Sequence, residues 1–136
     1  MPTPEMSEEV TEGIRVGASA FYLAQESDPD EDRYAFGYTI VIANEGDAPA
    51  QLLRRHWTII DANGHREDVR GPGVVGETPR LEPGQAFKYQ SFCPLHTTWG
   101  TMEGSYTMQR DDGSTFEAAV ARFYLRLPSR EPAVTR

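Results

Sequence analysis

The sequence has a single cysteine, Cys93, among its 136 residues, so no disulfide can form within the chain. It also has no apolar run near the roughly 18 residues that a membrane-spanning helix requires. The first twelve residues lack the basic flank and apolar segment of a secretory signal. These absences predict a cytoplasmic protein without membrane insertion, a compartment in which a lone thiol stays reduced.

Basic residues are in short supply as well. Thirteen lysines and arginines stand against 21 acidic residues, which gives a formal net charge of −8 and a sequence pI near 4.8. Because such a chain is repelled by phosphate backbones, no nucleic-acid partner is predicted. A chain of this length suits one domain, which buries roughly two-thirds of its unfolded surface and needs neither disulfide nor metal to hold a core.

Helical periodicity is absent, and apolar residues instead alternate with period two between closely spaced turn signals. The alternation predicts seven strands, at residues 13–23, 34–43, 52–60, 65–69, 87–91, 102–109 and 116–127. Seven short strands predict an all-β fold, an immunoglobulin-like or fibronectin type III-like β-sandwich. The sandwich domain is predicted over residues 13–127, with a flexible acidic tail at 1–12 and a second tail at 128–136.

Three local features sharpen this prediction. In the third strand, Leu53 and Trp57 are expected on the same face. The last strand changes its apolar phase between Val120 and Phe123, which is the pattern of a β-bulge. The charged strand at 65–69 follows an Asn-Gly turn and suits a sheet edge, where pairing with a second copy would give a homodimer.

Residues 71–77, the glycine loop, begin with a GxGxxG motif formed by Gly71, Gly73 and Gly76. In dinucleotide-binding proteins this motif opens a helix whose amides hold a pyrophosphate. Two prolines and a glycine within the eight residues after the motif leave no room for that helix, so the motif is interpreted as a surface loop. The alternative, nucleotide or pyrophosphate binding through Arg70 and the loop amides, stays open.

A second candidate contact lies in the segment 93–100. Trp99 falls in a predicted loop there, and exposed aromatic side chains in loops often mark interfaces. Trp99 therefore joins Arg70 and the three motif glycines in the candidate binding set.

Histidines and an acidic loop at 28–32 are the candidate ligands for a divalent cation. The three histidines, His56, His65 and His96, are nine and 31 residues apart, and the acidic loop lacks the glycine and terminal glutamate of an EF-hand. No metal site and no other cofactor is predicted, and direct divalent-metal binding is kept as an alternative.

No catalytic pattern is visible. Cys93 stands three residues before His96, but adjacency in sequence does not hold a base at hydrogen-bond distance from a thiol. Cys93 is expected to be a small buried residue. The chain is therefore predicted not to be an enzyme.

Five ordered motifs resemble those of the bacterial ApaG family, namely RHW at 55–57, GPGVVG at 71–76, LEPG at 81–84, GTMEGSYTM at 100–108 and FYL at 123–125. The resemblance covers roughly residues 13–127 and implies a fibronectin type III-like sandwich. It also implies a protein-binding role, since similar domains occur in certain F-box proteins. Bacterial members are associated by name with cobalt and magnesium efflux or resistance, and their genes often neighbour a diadenosine tetraphosphate hydrolase. The family has no agreed catalytic residues.

The resulting hypothesis is a cytoplasmic, non-enzymatic binding module that acts on an unknown protein partner and affects cation homeostasis indirectly. The glycine loop and the segment 93–100 are its expected contact surface. Nucleotide binding at the glycine loop and direct metal binding are the two alternatives.

Overall fold

Two antiparallel sheets pack face to face in the computed structural model, which describes residues 3–128. The first sheet has the order β1-β2-β3-β7, with bounds Met6–Thr11, Ile14–Tyr22, Tyr34–Asn44 and Ala86–Leu95. The second has the order β5-β4-β8-β9, with bounds Arg66–Pro72, Ala50–Asp61, Trp99–Gln109 and Thr115–Arg126. A two-residue strand β6, Arg80–Leu81, pairs with the start of β4. The predicted all-β sandwich is confirmed, and the two strands beyond the predicted seven are β1 and β6.

The prediction of a tail over residues 1–12 was wrong for β1. Each residue from Met6 to Thr11 pairs with β2. Ser7 donates a hydrogen bond to the Ala121 carbonyl oxygen at 2.7 Å, and Thr11 Oγ1 accepts one from the Ala119 amide at 3.1 Å. The strand is held by backbone pairing and hydroxyl groups rather than by apolar burial, and apolar periodicity does not record such contacts. Of the predicted tail at 128–136, only Pro128 lies within the described residues.

The core fills the space between the two sheets. Trp57 lies at its centre, with ring centroids 5.5 Å from Tyr38, 6.1 Å from Tyr106 and 6.0 Å from Phe123. All three contacts are edge-on, an arrangement that aromatic quadrupoles favour. The aromatic cluster therefore fixes how the two sheets face each other.

Two β-bulges determine which residues of the second sheet face the core. The β-bulge predicted in the last strand is confirmed, because Met102 pairs with Phe123 while Gly104 pairs with Val120, leaving one extra residue on β9. A second bulge, which the sequence did not indicate, makes Leu53 the extra residue of β4. Leu52 is consequently the buried residue, so the expectation that Leu53 and Trp57 share a face was wrong.

The remaining connections are short. Two single-turn 3-10 segments connect β2 to β3: Ala24–Glu26 precedes the predicted acidic loop and Pro29–Glu31 lies within it. The charged strand predicted at a sheet edge is β5, which lies outermost in the second sheet. Within residues 3–128, no helix is long and apolar enough to cross a membrane.

Candidate functional site

The glycine loop connects β5 to β6 and is held beside β4 by backbone hydrogen bonds. The Gly73 amide donates to the Leu53 carbonyl oxygen at 2.8 Å, so the extra residue of the β4 bulge anchors the loop. Val74 and Glu77 exchange two backbone hydrogen bonds of 2.8 and 2.9 Å around a two-residue turn. The chain then enters β6 rather than a helix, so the loop has none of the helix amides on which a dinucleotide fingerprint depends.

Each motif glycine has a structural reason. A Cβ on Gly71 would lie 2.9 to 3.1 Å from the guanidinium nitrogens of Arg55, tighter than ordinary contact. A Cβ on Gly73 would overlap the Glu77 carbonyl oxygen. Gly76 is the second residue of the turn, with φ of +81°, where side chains are disfavoured. The interpretation of the motif as loop architecture agrees with this geometry.

Arg55 is the functional candidate that the sequence reasoning missed. Its Nη1 donates to the carbonyl oxygens of Pro72 at 3.0 Å and Gly73 at 2.9 Å, and its guanidinium lies flat against Gly71. The signal was present in the sequence, since Arg55 has the same strand parity as Trp57 and so belongs to the inward face of β4. A charged residue at an inward-facing position of a strand is uncommon, so such a residue is a candidate for a functional role.

A cleft of about 370 Å³, the Arg55 cleft, opens between the sheets beside this guanidinium, at the side where β5 and β7 are the outermost strands. The second sheet and its glycine loop contribute apolar side chains, those of Pro72, Val74 and Val75. The first sheet contributes hydroxyl groups, those of Tyr38, Tyr89 and Ser91. Burial raises the pKa of the Tyr38 and Tyr89 hydroxyls, so both are protonated at neutral pH.

Arg70 does not enter this cleft. It pairs with His56 across the β4–β5 ladder and shares its outward face. Arg66 binds Asp68 at 3.0 Å, and Arg80 binds Asp111 at 2.5 Å, so the other arginines near the loop in sequence are turned to the surface and neutralised. The cation beside the motif glycines is therefore Arg55 rather than Arg70.

Val75 occupies a conformation that valine rarely adopts. It is the first residue of the two-residue turn, its φ is +43°, and 54% of its surface is exposed. Turns with positive φ at both central residues normally carry Asn, Asp or Gly at this position. Strain of this kind at an exposed apolar residue beside a cleft is a feature that often accompanies binding sites.

Replacing Val75 with asparagine is expected to stabilise the fold by about 1 kcal/mol, because the left-handed region costs a β-branched residue about that much more. The measurement is the free energy of unfolding in urea. The matched control is Val41→Asn, at an exposed position of β3 with ordinary backbone angles, where the same change should lower stability. If Val75→Asn also lowered stability, valine would contribute packing that outweighs its strain.

Trp99 is the first residue of β8, and 42% of its surface is exposed. Its ring stacks on Tyr124 with a centroid distance of 6.1 Å and an interplanar angle of 19°. Gly100 pairs with Asp61, whereas the glycine loop leaves β5 at Pro72, which pairs with Arg54. Arg54 and Asp61 are seven positions apart along β4, which corresponds to a distance of roughly 23 Å. The structure therefore does not bring Trp99 and the glycine loop into one site.

The outer surface of the first sheet gathers most of the exposed apolar residues. Residues 3–128 contain seven large apolar side chains that are exposed, and the strand register places five of them on this surface. These five define the outer apolar face: Met6, Val10, Phe21, Val41 and Phe92. Phe21 and Phe92 both pair with Gly37, and Phe21 covers the space that a Cβ on Gly37 would occupy.

The remaining sequence candidates are not assembled into chemistry. Cys93 is buried, as predicted, and burial raises the pKa of its thiol to about 12, so it is not a thiolate at neutral pH. His56 Nε2 lies 2.8 Å from Asp68 Oδ1 on the second sheet, and His96 lies near the Asp32 carbonyl oxygen. Among residues 3–128, no three His, Cys, Asp or Glu side chains come together as metal ligands would.

Comparison with known proteins agrees with this architecture. Residues 24–110 match the profile of the ApaG domain family. Two similar proteins are Protein ApaG of Brucella anthropi, 53% identical over 121 residues, and Protein ApaG of Anaeromyxobacter dehalogenans, 51% identical over 123 residues. These alignments cover 89% and 90% of this chain and 93% and 97% of the relatives. A crystal structure described as the ApaA protein of Bordetella pertussis superposes with a TM-score of 0.83 at 41% identity, over 90% of this chain and 97% of that one.

Proposed function

The chain belongs to the ApaG domain family, and from this premise we propose that it is a cytoplasmic, non-enzymatic binding module that docks a protein partner on its outer apolar face. The observation that carries the proposal is the concentration of five of the seven exposed large apolar side chains on one sheet surface. Exposed apolar side chains gathered on one surface favour an interaction site, whereas apolar residues scattered singly over a protein need no explanation. Phe92, with 70% of its surface exposed, is the expected anchor.

Charge narrows the chemistry of the partner. Lys88 pairs with Val41 and lies on the same surface, and no carboxylate of residues 3–128 is within ion-pair distance of it. Arg15, at the rim, already binds Glu8 at 3.1 Å and Glu45 at 2.8 Å. The expected occupant is therefore an apolar segment of a different protein with an acidic residue opposite Lys88. A second copy is disfavoured, because it would bring together two chains of net charge −8.

The contact surface predicted from the sequence is a weaker candidate for docking a partner than the outer apolar face. The glycine loop and the segment 93–100 present one large exposed apolar side chain each, Val75 and Trp99. An interface energy concentrated in a few clustered residues favours the surface with five of them.

In this proposal, the association with cobalt and magnesium efflux or resistance is an indirect effect, exerted through the protein partner. Direct cation binding has little support in residues 3–128, where no group of three potential ligands was found. Enzymatic action has equally little support in these residues, because burial and the nearby Glu67 carboxylate hold the Cys93 thiol protonated.

The test begins with the partner captured from cytosol and then purified. Phe92→Ser should weaken its binding about 30-fold, as expected for an aromatic anchor, and calorimetry with the purified pair measures this loss. Because Phe92 packs so little surface, the variant should unfold at the wild-type temperature. Lys88→Glu should also weaken binding, more strongly at low salt than at high salt.

Trp99→Ser separates this proposal from its rival. Equal affinity of the Trp99 variant and the wild type supports docking on the outer apolar face. If Trp99→Ser abolished binding and Phe92→Ser did not, the contact would lie at the segment 93–100 and the proposal would fail. Sedimentation showing a dimer that dissociates on Phe92→Ser would replace the foreign partner with a second copy.

A further inference from the structure

We propose that the Arg55 cleft binds a carboxylate group that carries an apolar neighbour, as found at a peptide C-terminus or in a small apolar acid. This site is independent of the proposed protein-docking function, since the cleft opens between the sheets and the outer apolar face lies on the opposite surface of the first sheet.

The first reason is that Arg55 stands apart from the other arginines. Within residues 3–128, six arginines lie within 4.0 Å of a carboxylate. Four do not, and three of these, Arg33, Arg54 and Arg70, are exposed to water. Arg55 alone is both half-buried and without a carboxylate. A partly desolvated charge with no counter-charge is costly and is uncommon without a role.

The second reason is the unused hydrogen-bonding capacity of this guanidinium. A guanidinium has five N–H donors, and the two on Nη1 are directed to the Pro72 and Gly73 carbonyl oxygens. Within the described chain, Nε and Nη2 donate to no protein acceptor under the geometric limits for a hydrogen bond. Contact with Gly71 and the two carbonyls hold the group in place, so it loses little freedom when a ligand binds. The free N–H groups on Nε and Nη2 can therefore donate to a carboxylate.

The third reason is the division of the cleft lining into apolar and hydroxyl-bearing parts. Val75 is exposed and offers surface for an apolar group, while one hydroxyl of the hydrogen-bonded pair Tyr38 and Ser91 can donate to the second carboxylate oxygen. The strained backbone of Val75 keeps that side chain at the rim of the cleft. A ligand with a charged end and an apolar flank matches both parts.

Charge balance favours a monoanion over a polyphosphate. Among residues 3–128, Arg55 is the only cation that lines the cleft. Glu77 follows the turn at Gly76, and Glu67 is close enough to Cys93 to raise the pKa of its thiol electrostatically. One carboxylate neutralises one guanidinium, whereas a chain of phosphates would leave several negative charges beside these glutamates.

The experiment is a titration of the 15N-labelled full chain with N-acetyl-leucine and, separately, with N-acetyl-leucinamide, which differs only in lacking the charge. We expect saturable shifts of the Val75, Gly76 and Ser91 amides with the acid, at a dissociation constant of about 1 mM, and none with the amide. Equal shifts with both compounds, or no shifts at 20-fold higher acid, on the order of 20 mM, would overturn the proposal. This comparison uses the wild-type chain and so does not depend on the folding of a variant.

Variants and a second ligand pair complete the test. Arg55→Gln should weaken acid binding at least tenfold, while Arg54→Gln, its exposed neighbour on the outward face, should not change it. Tighter binding of N-acetyl-Ala-Ala-Leu than of N-acetyl-leucine would identify a peptide C-terminus as the source, and equal binding would identify a small acid. Inorganic phosphate or diadenosine tetraphosphate saturating the same amides at lower concentration would replace the carboxylate with a phosphate ligand.

Discussion

Gly104→Ala is expected to lower the free energy of unfolding by about 3 kcal/mol, the upper end for a side chain forced into a packed site. Gly104 lies at the centre of β8, between Trp57 of β4 and Val120 of β9. A Cβ there would overlap the His56 carbonyl oxygen and lie 3.2 Å from the Trp57 Cα. Both neighbours are backbone atoms of the adjacent strand, so relief requires moving β4 and with it the central tryptophan. Thermal unfolding should show a midpoint roughly 10 °C lower.

Gly17→Ala is the matched control for this substitution. Gly17 is also a strand glycine, but its added Cβ would meet only the Glu8 side chain, at 3.8 Å or more. Alanine at that position should be neutral or stabilising by about 0.5 kcal/mol, since it reduces the freedom of the unfolded chain. If Gly104→Ala were as harmless as Gly17→Ala, the close approach of β8 to β4 would not be as the structure shows it.

Asn44→Ala should likewise cost about 3 kcal/mol. Asn44 is 1% exposed and ends β3, where its amide nitrogen donates to the carbonyl oxygens of Ala48 at 2.9 Å and Leu81 at 3.0 Å. Its side-chain oxygen accepts from the Gly46 amide at 2.9 Å. Alanine leaves the buried Leu81 carbonyl without this donor, and each buried group left unpaired costs about 1–3 kcal/mol. Urea unfolding followed by tryptophan fluorescence measures the loss.

Asn63→Ala tests whether the loss of stability in Asn44→Ala arises from the buried position of Asn44. Asn63 is exposed in the β4–β5 turn, and only its backbone amide is bonded there, to Asp61. This variant should remain within about 0.5 kcal/mol of the wild type. Equal losses in the two variants would mean that asparagine contributes through general turn preference rather than through the bonds that join β3 to β6.

The strand positions could be predicted from the sequence because the residues that face the core alternate regularly along each strand. In β3, Phe36, Tyr38, Ile40 and Ile42 alternate with smaller residues, and all four are buried. The bulge in β9 was equally visible, because an extra residue shifts the apolar phase from Val120 to Phe123. In β4 the extra residue, Leu53, lies beside another leucine, so the phase shift left no trace in the sequence.

Only part of the candidate site could be predicted from the sequence. The GxGxxG motif located the loop and its prolines excluded the helix of a dinucleotide site, both from local backbone chemistry. The choice of Arg55 over Arg70 depended on the pairing of β4 with β5, which sends alternate residues to opposite faces. Along the sequence Arg70 directly precedes Gly71, whereas Arg55 is 16 positions away, so proximity in sequence alone favoured Arg70.

By itself the sequence determined the fold class, most of the strand positions, the buried thiol and the loop character of the glycine motif, since these follow from alternation and backbone preference over a few residues. The tertiary structure decided what depends on distant pairing. It attached the β1–β2 pair to β9 through a hydrogen bond between Ser7 and Ala121, which are 114 positions apart. It also built the outer apolar face from β1, β2, β3 and β7, strands whose exposed residues look isolated along the chain and become neighbours only across the sheet.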